Sequence, residues 1–335
     1  MKEIPRKRVR QILEASRNVR VLVVGDLMLD QFVWGNVRRI SPEAPVPVVE
    51  FARESFMPGG AANVARNLTA LEVPTELFGI VGHDDSARKL KQLLLEQQVI
   101  CEGVLGDTTR PTSLKSRIIA HQQQMVRVDR ESTAPLNPKT LRRLLKAVEE
   151  RIYQCEAVIV GDYGKGVITR ELLDALKKIC RERGVWLSLD PKPINRLDLT
   201  GLSLITPNRK EAFELAGRED HARAANPLED RTLIEVANQL LESLRPALLL
   251  ITLGDQGMLL CGRGEKPFHI ATIAQEVFDV SGAGDTVIAS FTMAIAAGAS
   301  PAEAAVISNH CAGVVVGKLG TATLTQEELL ASFDL

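Results

Sequence analysis

Aromatic side chains are scarce in this 335-residue sequence: two Trp, two Tyr and nine Phe, or 4% in all. An excess of charge is lacking too, since 41 Lys and Arg oppose 42 Asp and Glu. Without a basic field or stacking platforms there is no footprint for nucleic acid, and the one basic run, Arg6 to Arg10, reads as the solvated face of a helical arm. No apolar stretch reaches the length of a membrane span. Met1 to Arg20 has no apolar centre of the kind a secretory signal needs, so the expected location is cytoplasmic, with no membrane partner. Five cysteines (Cys101, Cys155, Cys180, Cys261 and Cys311) are odd in number and free of C-x-x-C spacing, and imply neither a disulfide framework nor a zinc site. Five histidines form no H-x-x-x-H pair, which argues against a metal held by imidazoles.

What is present is 45% hydrophobic residues, enough at this length to bury one large core. Val19 to Val24 is a β-branched run of the kind that makes a buried strand. From Thr75 onward, strand-like segments (77–81, 157–160, 185–189, 203–205, 247–253) alternate with helix-like ones (86–97, 138–151, 169–183, from 209, 228–244). That alternation predicts an α/β fold, a doubly wound, mostly parallel sheet with helices on both faces. Two stretches break it. Residues 31–51 carry Pro42, Pro45 and Pro47, and residues 112–129 alternate polar with apolar; together they suggest a small β lid on a single domain spanning 1–335.

The stretch around which the rest is organised is D-V-S-G-A-G-D, Asp279 to Asp285, running into the small apolar segment Thr286 to Ala297. A loop that turns on Gly282 and Gly284 and then opens a helix leaves backbone N–H groups pointing one way, which makes an anion site. Asp285 would share that volume as a base. The pairing suits phosphoryl transfer, although glycines that merely turn a loop before a capping Asp would read the same.

Strand ends elsewhere carry polar groups, and in an open α/β sheet ligands sit beyond those ends. Asp26 and Asp30 follow the first strand and could grip hydroxyls, or Asp26 could cap a turn. In P-G-G-A-A-N-V-A, Pro58 to Ala65, Gly59 and Gly60 allow close backbone approach and Asn63 could bond a sugar hydroxyl; the alternative is tight helix packing. Asn208 and Glu211 lie three apart at a helix start and could face a magnesium ion through water, or Asn208 could simply cap the helix. Thr252 to Gly257 reads as a hairpin turn whose glycines, Gly254 and Gly257, could let backbone approach a nucleotide phosphate.

Together these segments resemble the ribokinase-like, or PfkB, family of carbohydrate kinases along nearly the full chain. Both family signatures have counterparts, Gly59 to Leu71 and Asp279 to Asp285, with Ser290 departing from the Ala or Gly usual at that place. The resemblance implies Asp285 as base, the backbone of Gly282, Ala283 and Gly284 as anion hole, and Asn208 with Glu211 serving Mg2+. For ATP it implies contacts from Arg209, Lys210 and Lys192, joined by Thr252, Gly254, Gly257 and Asn309. G-D-L-M-L-D (25–30), R-I-S-P-E-A-P-V-P-V-V (39–49) and P-G-G-A-A-N-V-A are similar to the branch acting at C1 of D-glycero-β-D-manno-heptose 7-phosphate, on the route to ADP-heptose. This likeness implies sugar contacts from Asp26, Asp30, Gly59, Gly60 and Asn63, and a sugar phosphate held by Lys115, Arg117, Arg127 or Lys165. It also implies a homodimer paired through the lid. No H-x-G-H motif of a fused nucleotidyltransferase occurs, so a separate enzyme is expected to add the nucleotide. The alternatives are another sugar on the same catalytic parts, or a non-catalytic sensor with a damaged base.

Overall fold

A computed structural model describes residues 4–121, 123–221, 223–274 and 276–334; Gln122, within the alternating stretch 112–129, lies outside them. In chain order the elements are α1 (Arg6–Ser16), β1 (Val21–Ile40), β2 (Pro47–Gly60), α2 (Ala61–Ala70), β3 (Thr75–Val81), α3 (Asp85–Glu96) and β4 (Val104–Gly106). Then come β5 (Ser113–Ala120), β6 (Gln123–Arg130), α4 (Pro138–Arg151), β7 (Ala157–Gly161), α5 (Arg170–Arg183), β8 (Trp186–Asp190) and β9 (Leu204–Ile205). The chain continues with α6 (Arg209–Ala216), α7 (Arg231–Leu244), β10 (Leu248–Thr252), β11 (Met258–Gly262), β12 (Phe268–Ile270), α8 (Ala283–Ala296), α9 (Pro301–Val316) and α10 (Gln326–Ala331).

The central sheet runs β12-β11-β10-β9-β8-β7-β1-β3-β4, parallel from β10 through β4, with β11 and β12 antiparallel at one edge. Alternation along β1 explains the two layers of core. Val21 and Val23 pack with residues of α1, α2, α8 and α9, while Leu22 and Val24 pack with residues of α4, α5 and α7 on the opposite face. Chain order reverses between β1 and β7, the place where such sheets leave a crevice beyond their strand ends.

β1 does not stop at the polar residues that end its apolar run. It continues for 20 residues, so that its far half leaves the central sheet and pairs with β2 and β5 instead. β5 in turn pairs with β6, which makes an outer sheet above the strand ends of the central one. Gly59 and Gly60 close β2 against β1; a Cβ on Gly59 would lie 2.3 Å from Asp30 Oδ2, so glycine there makes room for that carboxylate. α7, capped by Asp230, starts at Arg231, three residues later than the start expected at Leu228. Among the described residues no helix is long and apolar enough to cross a membrane.

Candidate active site

α8 starts where Gly282 takes a left-handed φ of 78°, which allows the chain to enter the helix directly from the preceding turn. Asp285 in its first turn is 7% exposed. Both carboxylate oxygens are held: Asn63 Nδ2 donates to Oδ2 at 2.7 Å and the Tyr163 hydroxyl donates to Oδ1. Burial, helped by the nearby charge of Asp30, lifts the Asp285 carboxyl to about 6 against the pull of these two donors. A buried carboxylate near neutral pKa at a helix N-terminus has the protonation behaviour a general base needs. Asn63 Oδ1 is buried without a hydrogen-bond partner, an acceptor left for a donor from outside the chain.

Tyr163 is the site residue that sequence reasoning missed. It lies in the glycine-rich turn after β7 and is one of two tyrosines in the chain, the only signal that could have singled it out. Asp26 explains how that turn is held. Its oxygens accept the N–H groups of Tyr163, Lys165 and Val167 at 2.8, 3.0 and 3.0 Å, and its side chain is fully buried. The expected role of Asp26 in gripping a hydroxyl is therefore corrected: it anchors the loop that carries Tyr163. Asp30 is 3% exposed and pairs with Arg117 at 2.6 Å, on the outer-sheet face toward Asp285.

The cations proposed for a sugar phosphate have carboxylate partners within the chain. Lys115 pairs with Asp129 at 3.0 Å and Glu131 at 3.2 Å, Lys165 with Glu131 at 2.6 Å, and Arg127 with Asp129 at 2.9 Å. Arg209 is engaged within the chain. Its guanidinium is 4% exposed and joins Asp220 and Asp230 at 2.7 and 2.9 Å, so it braces α6 against α7 and the expected nucleotide contact is corrected. The exposed ammonium of Lys210 reaches Glu214 at 3.7 Å, one turn along the same helix.

Asn208 and Glu211 form a reciprocal capping box at the start of α6. Capping leaves Glu211 Oε1 for Lys192 at 3.1 Å, and Glu211 lies close enough to Asp190 for their charges to interact. Burial and the charges of Glu211 and Asp285 push the Asp190 carboxyl well above its ordinary value. On the other side of α8 a cavity of about 360 Å3 opens, lined by Thr252, Gly254, Gly257, Asn309, Ala283 and Gly284, with apolar walls from Met258, Val280 and Val316. The structure thus brings together Asp285, Asn63 and Asp30 on one side of the α8 N-terminus and the Thr252, Gly254, Gly257 and Asn309 group on the other. Ser290 is buried and bonds back to Thr286 O inside α8, away from the site.

A profile of the pfkB family carbohydrate kinases matches residues 18–328. The chain belongs to that family. It is 45% identical over 316 residues to a "Bifunctional protein HldE" of Desulfatibacillum aliphaticivorans, covering 94% of this chain and 63% of that protein. A protein of the same name from Geobacter sulfurreducens is 39% identical over 98% of this chain and 65% of its own length. The chain thus spans about two thirds of the length of these curated relatives. Among solved structures, phosphofructokinase-2 of Escherichia coli in complex with substrates and products superposes with a TM-score of 0.78 at 19% identity, over 94% of this chain and 99% of that one. Arabidopsis thaliana ribokinase complexed with ribose and ATP gives 0.72 at 20%, over 95% and 99%. These likenesses show the ribokinase-like α/β fold expected from the alternation of strands and helices.

Proposed function

We propose that the protein transfers the γ-phosphoryl group of ATP to the C1 hydroxyl of D-glycero-β-D-manno-heptose 7-phosphate, giving the 1,7-bisphosphate used for ADP-heptose. The observation that carries the reading is Asp285, a buried carboxylate with a pKa of about 6 at the N-terminus of α8, between the cavity and the Asn63 and Asp30 cluster. The high identity to HldE proteins and the R-I-S-P-E-A-P segment favour the heptose substrate.

In this mechanism Asp285 takes the C1 proton as the oxygen attacks in line. The first-turn amides of α8, with Gly282 and Gly284 keeping side chains out of the way, face the developing charge on the transferred group. Asn63 Oδ1 accepts a sugar hydroxyl, and Asp30 binds another in exchange for part of its bond to Arg117. ATP occupies the cavity beside Thr252, Gly254, Gly257 and Asn309. Among the described residues no three His, Cys, Asp or Glu side chains are grouped to hold a metal alone. Mg2+ keeps water and phosphate ligands and takes few from protein; Glu211, which shares a capping box with Asn208, and Asp190 are the hard oxygen donors that would face it. When bound, the ion neutralises charge on the nucleotide phosphates.

Exposed apolar residues of the outer sheet, including Ile40, Phe51 and Val128 at 60%, 65% and 56%, support a homodimer paired through that sheet. Phosphorus NMR of a reaction supplied with heptose 7-phosphate, ATP and Mg2+ tests the reading: a new anomeric phosphate signal is expected. Turnover of ribose or fructose 6-phosphate with equal efficiency would replace heptose by another sugar while keeping the kinase.

A further inference from the structure

Beneath the outer sheet, Lys115 and Lys165 converge on one carboxylate from two different elements, β5 and the turn after β7. Glu131 uses Oε2 for Lys115 at 3.2 Å and Oε1 for Lys165 at 2.6 Å. All three side chains are recessed, with 14%, 16% and 18% exposure for Lys115, Lys165 and Glu131. They face the reaction centre. Lys115 is the ladder partner of Asp30, so their side chains share a face, and Lys165 follows two residues after Tyr163, whose hydroxyl is on Asp285.

The two carboxylates around Lys115 are held differently. Asp129 lies in β6 opposite Lys115 in the ladder and is gripped by Arg127 through Nε and Nη2 at 2.9 and 3.0 Å. Glu131 comes just after β6 ends at Arg130, beyond the ladder, and its long side chain reaches the two lysines from outside the strand. Asp129 with Arg127 and Asp30 with Arg117 balance, so the cluster carries +1 with Glu131 in place and +2 once it swings away. A phosphomonoester dianion matches the second state in charge. Its three terminal oxygens can also bond both ammonium groups at once, as the carboxylate now does.

We propose that Lys115 and Lys165 form the receptor for the substrate's own phosphomonoester, and that Glu131 occupies it in the free protein and leaves when the dianion enters. This rests on the reading of the site as a sugar-phosphate kinase and adds to it a specificity-determining residue. Glu131 then acts as a competitor for its own site. It keeps two lysines from being bare when no substrate is present, and the entering dianion must displace its two ion pairs.

The test uses the full-length chain with ATP and Mg2+, comparing the parent with Glu131→Gln, Asp129→Asn and Lys165→Gln on heptose 7-phosphate and on unphosphorylated heptose. Thermal melting confirms folding, and Glu131→Ala serves as a second variant should Gln retain both bonds. Removing the competitor is expected to lower KM for the phosphorylated sugar by about threefold to tenfold with kcat little changed, while the neutral sugar is unaffected. Lys165→Gln is expected to raise the same KM by about tenfold or more, and Asp129→Asn, which leaves Glu131 between the two lysines, to change it less than Glu131→Gln does. A higher KM in Glu131→Gln, or an equal change for both sugars, overturns the proposal and leaves the kinase reading intact. If the parent ignores heptose 7-phosphate but Glu131→Gln improves another sugar phosphate, the heptose reading falls and the receptor stands.

Discussion

Tyr163 donates its hydroxyl hydrogen to Asp285 Oδ1 while its own backbone N–H is bound by Asp26, so the base of the reaction is tied through one tyrosine to the point in β1 where its neighbours change. The bond pulls the Asp285 carboxyl down against a larger upward push from burial, leaving it at about 6. Asp285 must be ionised to accept a proton, so activity is expected to fall as pH drops through about 6. Tyr163→Phe keeps the ring and removes the donor, so the acidic limb of kcat/KM is expected to move to higher pH. A pH–rate profile with an unmoved limb would reduce Tyr163 to packing.

Asp285→Asn separates catalysis from stability. Turnover is expected to fall on the order of 100-fold or more through loss of the base. Stability is expected to go the other way. A carboxyl raised to about 6 in the folded state binds its proton more tightly there than in the unfolded chain, so this group adds stability as pH falls from about 6 toward its ordinary value and costs stability above that window. At pH 7 the neutral amide avoids that cost, and a Tm at or above the parent's is expected. A Tm several degrees lower would mean that Asn63 and Tyr163 stabilise the ionised carboxylate more than burial penalises it.

The parts legible in the sequence were those set by local rules. Strand and helix alternation gave the doubly wound sheet, and the glycines before Asp285 located the α8 N-terminus. What could not be read depended on partners distant in sequence. Asp26 looked like Asp30, a polar residue after an apolar run, but only the packed loop 163–167 shows that its oxygens are already spent. The length of β1 was hidden because it has two registers of neighbours, β3 and β7 at one end and β2 and β5 at the other, with glycine and aspartate at the changeover. β12 and α10 are three and six residues long, too short for a hydrophobic period to emerge.

Arg209 was read as a nucleotide ligand because it sits in the N-x-x-E segment, and its real surroundings make a different expectation. Arg209→Met leaves Asp230, 5% exposed, without its guanidinium. The loss is expected to cost about 3 kcal/mol of stability, the scale for breaking a buried ion pair, with KM for ATP nearly unchanged in the remaining folded protein. Chemical denaturation measures the first and steady-state kinetics the second. A selective rise in the ATP KM would restore the nucleotide role.

The last expectation distinguishes the two glycines of the cradle. Gly282 has a φ of 78°, and a Cβ there would stand 2.6 Å from Asn63 Nδ2, the atom that donates to Asp285. Gly282→Ala therefore carries a left-handed strain of about 1 kcal/mol or more and pushes aside the amide that orients the base. Lower stability and lower kcat are both expected. Gly284 lies within α8 with ordinary helical backbone, and a Cβ there meets nothing within 4 Å because it projects toward the cavity that Gly284 lines. Gly284→Ala is expected to fold as well as the parent or better, since Ala favours a helix over Gly by up to about 1 kcal/mol. Its cost should fall on the nucleotide, as a higher KM for ATP with KM for the sugar unchanged. Melting curves and kinetics on the two variants decide between them. Equal behaviour of the pair, or a Gly284→Ala enzyme with the parent's ATP affinity, would place the nucleotide phosphates elsewhere than against the first turn of α8.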